Sequence, residues 1–294
     1  MAVDEDLVSE VLGSRVVSRR AASGGYTPAE RWIVALADGR SAFVKVAVND
    51  LTATWLRKEY RVYSAISGTF MAELLGWVDE DGRPMLLLED LSHCAWPPPW
   101  TDARVETVVQ TLSQVAATPP PPGLALSTEA AWIADGWNRV AADPAPLLST
   151  GLVSAEWLDH ALPALLDVAG ASVIAGTELC HFDVRSDNLC FRPDGSVVLV
   201  DWNLAEIGNA RLDLAFWLPS LVLEGGPQPE SILPDAPAEA AVVAGFFASR
   251  CGLPDIPDAP GVRGFQRRQL SAALPWAAAM LGLPLPTRTG IRPP

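Results

Sequence analysis

Lysine is almost missing from this chain. It occurs only at Lys45 and Lys58, and the rest of the positive side-chain charge is arginine. Histidine is scarce too, with three residues among 294, and the four cysteines (Cys94, Cys180, Cys190, Cys251) show no C-x-x-C spacing. That excludes a zinc-finger pattern, and reduced thiols fit a cytosolic protein. The formal charge is −14 with no basic stripe, which excludes the electrostatic footprint of a nucleic-acid binder. No apolar run reaches the ~20 residues of a membrane span; "AAVVAGFFA" is too short and reads as a core helix. The start, "MAVDEDLVSE", lacks the basic-then-apolar layout of a signal peptide. The expectation is a cytoplasmic protein with neither a membrane nor a nucleic-acid partner; oligomeric state is left open.

What is present is a globular composition, 49% apolar and 19% charged, at a length that suits two modest domains or one two-lobed unit. The acidity serves solubility first, and a cationic substrate second. Residues 1–91 read as short β-rich runs: "SRVVSRR", "RWIVALADG", "SAFVKVAV", "ELLGWVDEDG" and "RPMLLLEDL", several of them set off by Asp-Gly or Gly-Arg turns. One helix interrupts them, "LTATWLRKEYRVYSAIS", with Leu51, Trp55, Val62 and Ile66 on one stripe. Glu59 fills a slot in that stripe, and a carboxylate there needs a partner if it is buried.

After Leu91 the proline-rich "SHCAWPPPW" reads as a connector. Helical stretches follow at about 101–116, 126–141, 155–175, 211–224, 236–251 and 260–281, with Pro275 expected to kink or break the last. Among them, "NLCFRP" and "SVVLVDW" flank the turn Asp194–Gly195, a hairpin signal. The expected architecture is α+β: a small antiparallel β-sheet lobe with one helix over 1–91, and a larger, mainly helical lobe over 92–294.

The stretch "HFDVRSDN" (181–188) places His181, Asp183, Arg185 and Asn188 just before that hairpin, and Asp201 ends it. Upstream, Lys45 lies in a strand and Glu59 in the helix that follows. Taken singly, Asp183 and Asn188 are ordinary cap and turn residues. Taken together, the order and spacing resemble the protein-kinase-like fold, and most closely its aminoglycoside phosphotransferase branch of small-molecule kinases. His181, Asp183 and Asn188 match the H-x-D-x-x-x-x-N catalytic loop, Asp201 the D-F-G aspartate, Lys45 and Glu59 the strand lysine and its helix partner, and "RLDLAFW" with Asp213 a D-L-A segment.

The resemblance implies γ-phosphate transfer from ATP or GTP to a hydroxyl of a small molecule, with Mg²⁺. It implies that Asp183 orients the hydroxyl and accepts its proton, and that Arg185 offsets γ-phosphate charge. Asn188 and Asp201 would be oxygen ligands suited to magnesium. Lys45 would hold the α- and β-phosphates, steadied by Glu59. His181 and Asp213 would brace the loop. Backbone groups near Glu89, Asp90 and Leu91 would meet the purine.

The pattern is incomplete in places. The phosphate loop offers only Gly24 and Gly25, the hairpin ends in "DWN", and no A-P-E segment follows, which argues against a protein kinase. The acceptor region shows few clustered carboxylates for ammonium groups. Trp132, Trp137 and Trp217 are candidates for stacking on a ring, with core packing the plainer use of tryptophan. An antibiotic acceptor (resistance or self-resistance) leads; a metabolite kinase of the amino sugar, choline or homoserine type and a silent nucleotide-binding pseudokinase remain as alternatives.

Overall fold

The computed structural model describes residues 3–22, 28–80, 82–129, 132–257 and 259–286. The chain divides into two compact units, residues 1–97 with 186–205, and 98–185 with 206–294. The expected boundary lay at residue 91 and assigned the hairpin to the second lobe. The first unit instead runs on to Pro97 and takes in 186–205.

The first unit opens with a helix absent from the sequence reading, which allowed this region only one. It is Glu5–Leu12 (α1), capped by the Asp4 carboxylate and closed by Gly13 in the left-handed region at φ 65°. Its acidic surface hides a two-residue apolar edge, Val8 and Leu12, both buried. Five strands follow: Val16–Ala21 (β1), Glu30–Leu36 (β2), Ser41–Val46 (β3), Leu74–Val78 (β4) and Met85–Glu89 (β5). They form one antiparallel sheet in the order β1-β2-β3-β5-β4. Side chains alternate along each strand. Val34, Val44, Val46 and Leu87 therefore pack with Val8 and Leu12 in one core on the α1 side.

The helix Asp50–Ala65 (α2) lies between β3 and β4 in sequence and starts at an Asn49–Thr52 capping box. Its buried residues are Thr52, Ala53, Leu56, Glu59, Val62 and Tyr63. The expected stripe is corrected at its first turn: Leu51 is 55% exposed, because the helix turns Thr52 and Ala53 inward instead. The hairpin is present, Leu189–Phe191 against Val197–Leu199, with Gly195 at φ 86° in the turn. Trp202, fully buried beside Phe70, anchors the chain after it.

The second unit is helical: Asp102–Ala117 (α3), Gly136–Ala142 (α4), Ala145–Ser149 (α5), Ala155–Val168 (α6), Ala171–Ile174 (α7), Arg211–Leu223 (α8), Pro229–Ile232 (α9), Pro237–Ala248 (α10) and Val262–Met280 (α11). A short antiparallel pair, Glu178–Cys180 with Glu206–Gly208, accompanies them. The helix expected over 126–141 is shorter: the described part of 126–135 is turns and a single bridge. Of the kink or break expected at Pro275, the break does not occur, since α11 runs on through it. Trp137 and Trp217 are core residues, with the Trp137 indole donating to the Ala241 carbonyl at 2.7 Å. None of the described helices is long and apolar enough to cross a membrane.

Candidate active site

Strand β3 carries Lys45 among apolar neighbours, so its ammonium must find charge partners once buried. It finds two. Lys45 Nζ lies 2.7 Å from Glu59 Oε2 on α2 and 2.7 Å from Asp201 Oδ1 at the end of the hairpin. Burial pushes the lysine toward its neutral form, but the carboxylates of Asp201 and Glu59 outweigh it and hold the ammonium above its ordinary value. Burial raises Glu59 to about 6 against the pull of Lys45. Asp201 stands in the left-handed region at φ 66°, ψ 54°, a conformation aspartate tolerates and proteins keep mostly at functional turns.

The other hairpin end supplies Asn188, 4% exposed. Its carbonyl accepts the Val200 N–H at 2.9 Å, which fixes it next to the residue preceding Asp201. Lys45, Glu59, Asn188 and Asp201 all line one cavity of about 350 Å³, together with Glu89, Asp90 and Leu91. The cavity therefore gathers seven of the sequence-predicted residues. Gly24 and Gly25 lie outside the described residues.

Of the three residues at the β5 end of the cavity, Glu89, Asp90 and Leu91, two are engaged through their side chains. The Glu89 carboxylate pairs with Arg192, whose guanidinium also donates to the Thr69 carbonyl at 2.7 Å. Asp90 accepts from the Ser92 backbone at 2.9 Å and from its hydroxyl.

Asn188 and Asp201 are hard oxygen donors on one cavity wall. Among the described residues no group of three or more His, Cys, Asp or Glu side chains could hold a metal by itself. That donor set fits Mg²⁺, which is usually held by one or two carboxylates plus substrate phosphates rather than by an all-protein cage.

His181, Asp183, Arg185 and Asp213 fall in the second unit. The Asp213 carboxylate, 2% exposed, accepts the His181 N–H at 2.8 Å and the Phe182 N–H at 2.7 Å. His181 Nδ1 accepts the Asp183 N–H at 3.2 Å. These bonds hold Phe182 at φ 57°, an uncommon conformation for a bulky residue. Arg185 Nη1 lies 3.3 Å from Asp183 Oδ1, and its guanidinium sits 5.1 Å above the Phe265 ring.

Burial raises the Asp213 carboxyl to about 7, against the two backbone donors. Its folded value thus exceeds the ~3.9 of an unfolded chain. The stability this gives is fully present below pH ~4 and is lost as pH rises through the folded value. Asp213→Asn should remove that slope in urea unfolding between pH 4 and 8. It should also cost about 1–3 kcal/mol at acidic pH, because an NH₂ then faces a backbone donor. An unchanged slope would contradict this account of Asp213.

Among the cavity-lining residues that the sequence reading passed over are Arg20, Arg31, Trp96 and Asp187. Strand alternation was the available signal for one of them: Arg31 is the register partner of Lys45 and shares its face.

A five-stranded antiparallel sheet carrying a buried lysine with two carboxylate partners, a short hairpin and a helical second unit match the protein-kinase-like fold. A family model described as the phosphotransferase enzyme family matches residues 18–249, and the chain belongs to that family. Solved structures of similar fold share little sequence. A thermostable mutant of aminoglycoside phosphotransferase APH(4)-Ia, in complex with ADP and hygromycin B, is 16% identical with a TM-score of 0.61, over 96% of this chain and 98% of that one. The choline kinase LicA from Streptococcus pneumoniae is 13% identical with a TM-score of 0.59, over 92% and 97%. A macrolide 2'-phosphotransferase type I is 13% identical with a TM-score of 0.53, over 96% and 93%. No curated protein sequence matches the chain.

Proposed function

We propose that this enzyme transfers the γ-phosphate of ATP to a hydroxyl of a small molecule, and that the acceptor is an antibiotic presenting a flat or apolar ring rather than a polycationic aminoglycoside. The observation that carries the reaction is Lys45 held between Glu59 and Asp201 in a cavity that Asn188 also lines. Phosphoryl transfer asks a protein for positioning and charge stabilisation more than for covalent chemistry.

In this reading Lys45 grips the α- and β-phosphates, and Glu59 fixes its ammonium. Asn188 and Asp201 hold Mg²⁺, which when bound neutralises phosphate charge. Asp183 orients the acceptor hydroxyl and takes its proton, while Arg185 steadies Asp183 and offsets charge on the transferring group. Asp213 and His181 brace the loop. Asp213 in particular, through its two backbone bonds, keeps the strained Phe182 turn in place. ATP is favoured as donor because related folds are seen with ADP and AMP-PNP.

The acceptor chemistry rests on what surrounds Asp183 and Arg185 within the second unit. From Phe265 under Arg185, edge-to-face rings run through Phe247 and Phe246 to Trp132, with Phe216 against both Phe246 and Phe247. Trp132, Phe216, Phe246 and Phe265 are only half-buried. The Arg250 guanidinium lies 4.1 Å from the Phe246 ring centroid and donates to the Trp132 and Phe246 carbonyls. Nearby carboxylates are committed elsewhere: Glu239 of α10 to Arg211, and Glu224, just past α8, to the Trp100 indole. Rings with guanidinium charge favour a stacked ring over a set of ammonium groups.

A panel of neutral aromatic alcohols, macrolides, nucleosides and hygromycin B, each with Mg²⁺ and ATP or GTP, tests this by product mass. Neutral or ring-rich acceptors should gain one phosphoryl group, and Phe246→Leu should lower their kcat/KM about tenfold with nucleotide KM unchanged. Phosphorylation of hygromycin B alone would contradict the acceptor assignment and leave the kinase reading intact.

A further inference from the structure

The structure assigns Arg31 as a second phosphate-binding cation, delivered by strand β2, which takes over charge neutralisation that a glycine-rich loop would otherwise share. This inference rests on the proposed nucleotide site.

Register places it. Arg31 is the direct antiparallel partner of Lys45, and Ile33 of Phe43. Residues directly opposite share a face, with Cβ atoms about 4.5–5.5 Å apart. All four line the cavity, as do Arg20 and Ala22 of the β1 side, which pair with Ile33 and Arg31. The other face is accounted for separately: the Arg19 guanidinium packs 4.9 Å over Trp32, and Val34 and Val44 join the α1 core. The cavity roof is thus graded. Ile33, Phe43 and Leu88 form an apolar stretch, and Arg31 and Lys45 close it at the end where Glu59 and Asp201 lie.

Two cations placed directly opposite on a sheet concentrate positive charge on this face. Lys45 is already matched by two carboxylates, a local set with net charge −1. That set alone opposes a triphosphate, which carries several negative charges. Arg31 supplies the missing cation from a rigid strand. Its chain is steadied by an Nη1 bond to the Ala29 carbonyl at 2.9 Å, and its backbone carbonyl accepts the Ala22 N–H at 2.9 Å. Its charge reaches this corner of the site, where it favours the ionised form of Glu59. The sequence between β1 and β2 has only Gly24 and Gly25 for close backbone approach to phosphate. A guanidinium reaches further than a backbone amide and can bind two oxygens at once.

The test is calorimetric titration of the full chain with ATP, ADP and AMP in Mg²⁺, comparing wild type, Arg31→Gln and Arg31→Lys at two or more salt concentrations. Arg31→Gln should weaken ATP about tenfold or more, ADP less, and AMP less than about twofold; Arg31→Lys should recover part of the loss. The salt dependence of ATP binding should be shallower in Arg31→Gln. Unchanged ATP affinity would overturn the assignment while leaving the nucleotide site standing. Equal losses for ATP and AMP would also overturn it, as the mark of a structural role. A wild-type chain that binds none of the three would overturn both this inference and the nucleotide-site reading.

Discussion

Lys45→Ala is expected to lower kcat/KM for ATP about a thousandfold, or roughly 4 kcal/mol of transition-state stabilisation. Lys45 makes two short charge-assisted bonds and is only 6% exposed. Its removal deletes the proposed phosphate grip and strands Glu59 and Asp201 as neighbouring carboxylates without their shared cation. Breaking a buried pair this way typically costs about 3–5 kcal/mol of stability, unless a proton replaces the lysine. Glu59 is already raised to about 6 with Lys45 in place, and without it the carboxyl rises further. A carboxyl raised in the folded state stabilises below its unfolded value and loses that contribution as pH climbs through the folded one. The variant should therefore unfold more easily at pH 8 than at pH 5, by a wider margin than wild type in parallel thermal melts. Activity within tenfold of wild type, or melts that track wild type across this range, would contradict the role given to the pair.

Asp183→Ala is expected to act differently. It should reduce kcat about 10²–10⁴-fold, the usual weight of a positioned proton acceptor, and leave nucleotide KM within about twofold. Asp183 lies in the second unit and does not line the cavity that holds Lys45. The 3.3 Å partner of Arg185 is also lost, so Arg185→Ala combined with Asp183→Ala should cost less than the sum of the two alone. Steady-state kinetics with varied ATP separates the two effects. A large rise in ATP KM at near-normal kcat would show that Asp183 serves binding instead.

The sequence carried more of the site than of the fold around it. Asp183, Asn188 and Asp201 are legible together because their spacing along the chain is that of a loop followed by a short hairpin, closed here by the three residues 193–195 with Gly195 at positive φ. Glu59 was legible as a carboxylate among apolar neighbours, a misfit that a buried lysine resolves. Helix α1 was not legible, because its exposed acids dominate a segment that buries little more than Val8 and Leu12. Leu51 was placed inward by periodicity, but the first turn of α2 is set by the Asn49–Thr52 box, which turns Thr52 and Ala53 in. Pro275 was expected to kink or break α11; it does not break it, and the helix continues to Met280 with Trp276 and Ala277 buried. The left-handed turns at Phe182 and Asp201 have no sequence signal, since both arise from tertiary bonds rather than from glycine.

Arg31 was missed for a different reason. The nearby Arg15, Arg19 and Arg20 give the segment a plain surface-charge look, and the β1–β2 and β2–β3 registers are what separate the cavity-facing Arg20 and Arg31 from Arg19 on the opposite face. In a chain with two lysines, the choice of arginine for this second cation also fits the bidentate geometry phosphate prefers.

The central claim is transfer of the terminal phosphoryl group to an alcohol. The direct measurement uses ATP labelled with ¹⁸O on the γ-phosphate, Mg²⁺ and an accepted small molecule, with both products read by mass spectrometry. The account predicts that the acceptor carries the labelled phosphoryl group and that the nucleotide product is unlabelled ADP, both lost in Asp183→Ala. AMP with labelled pyrophosphate, or an acceptor bearing the nucleotide, would contradict it.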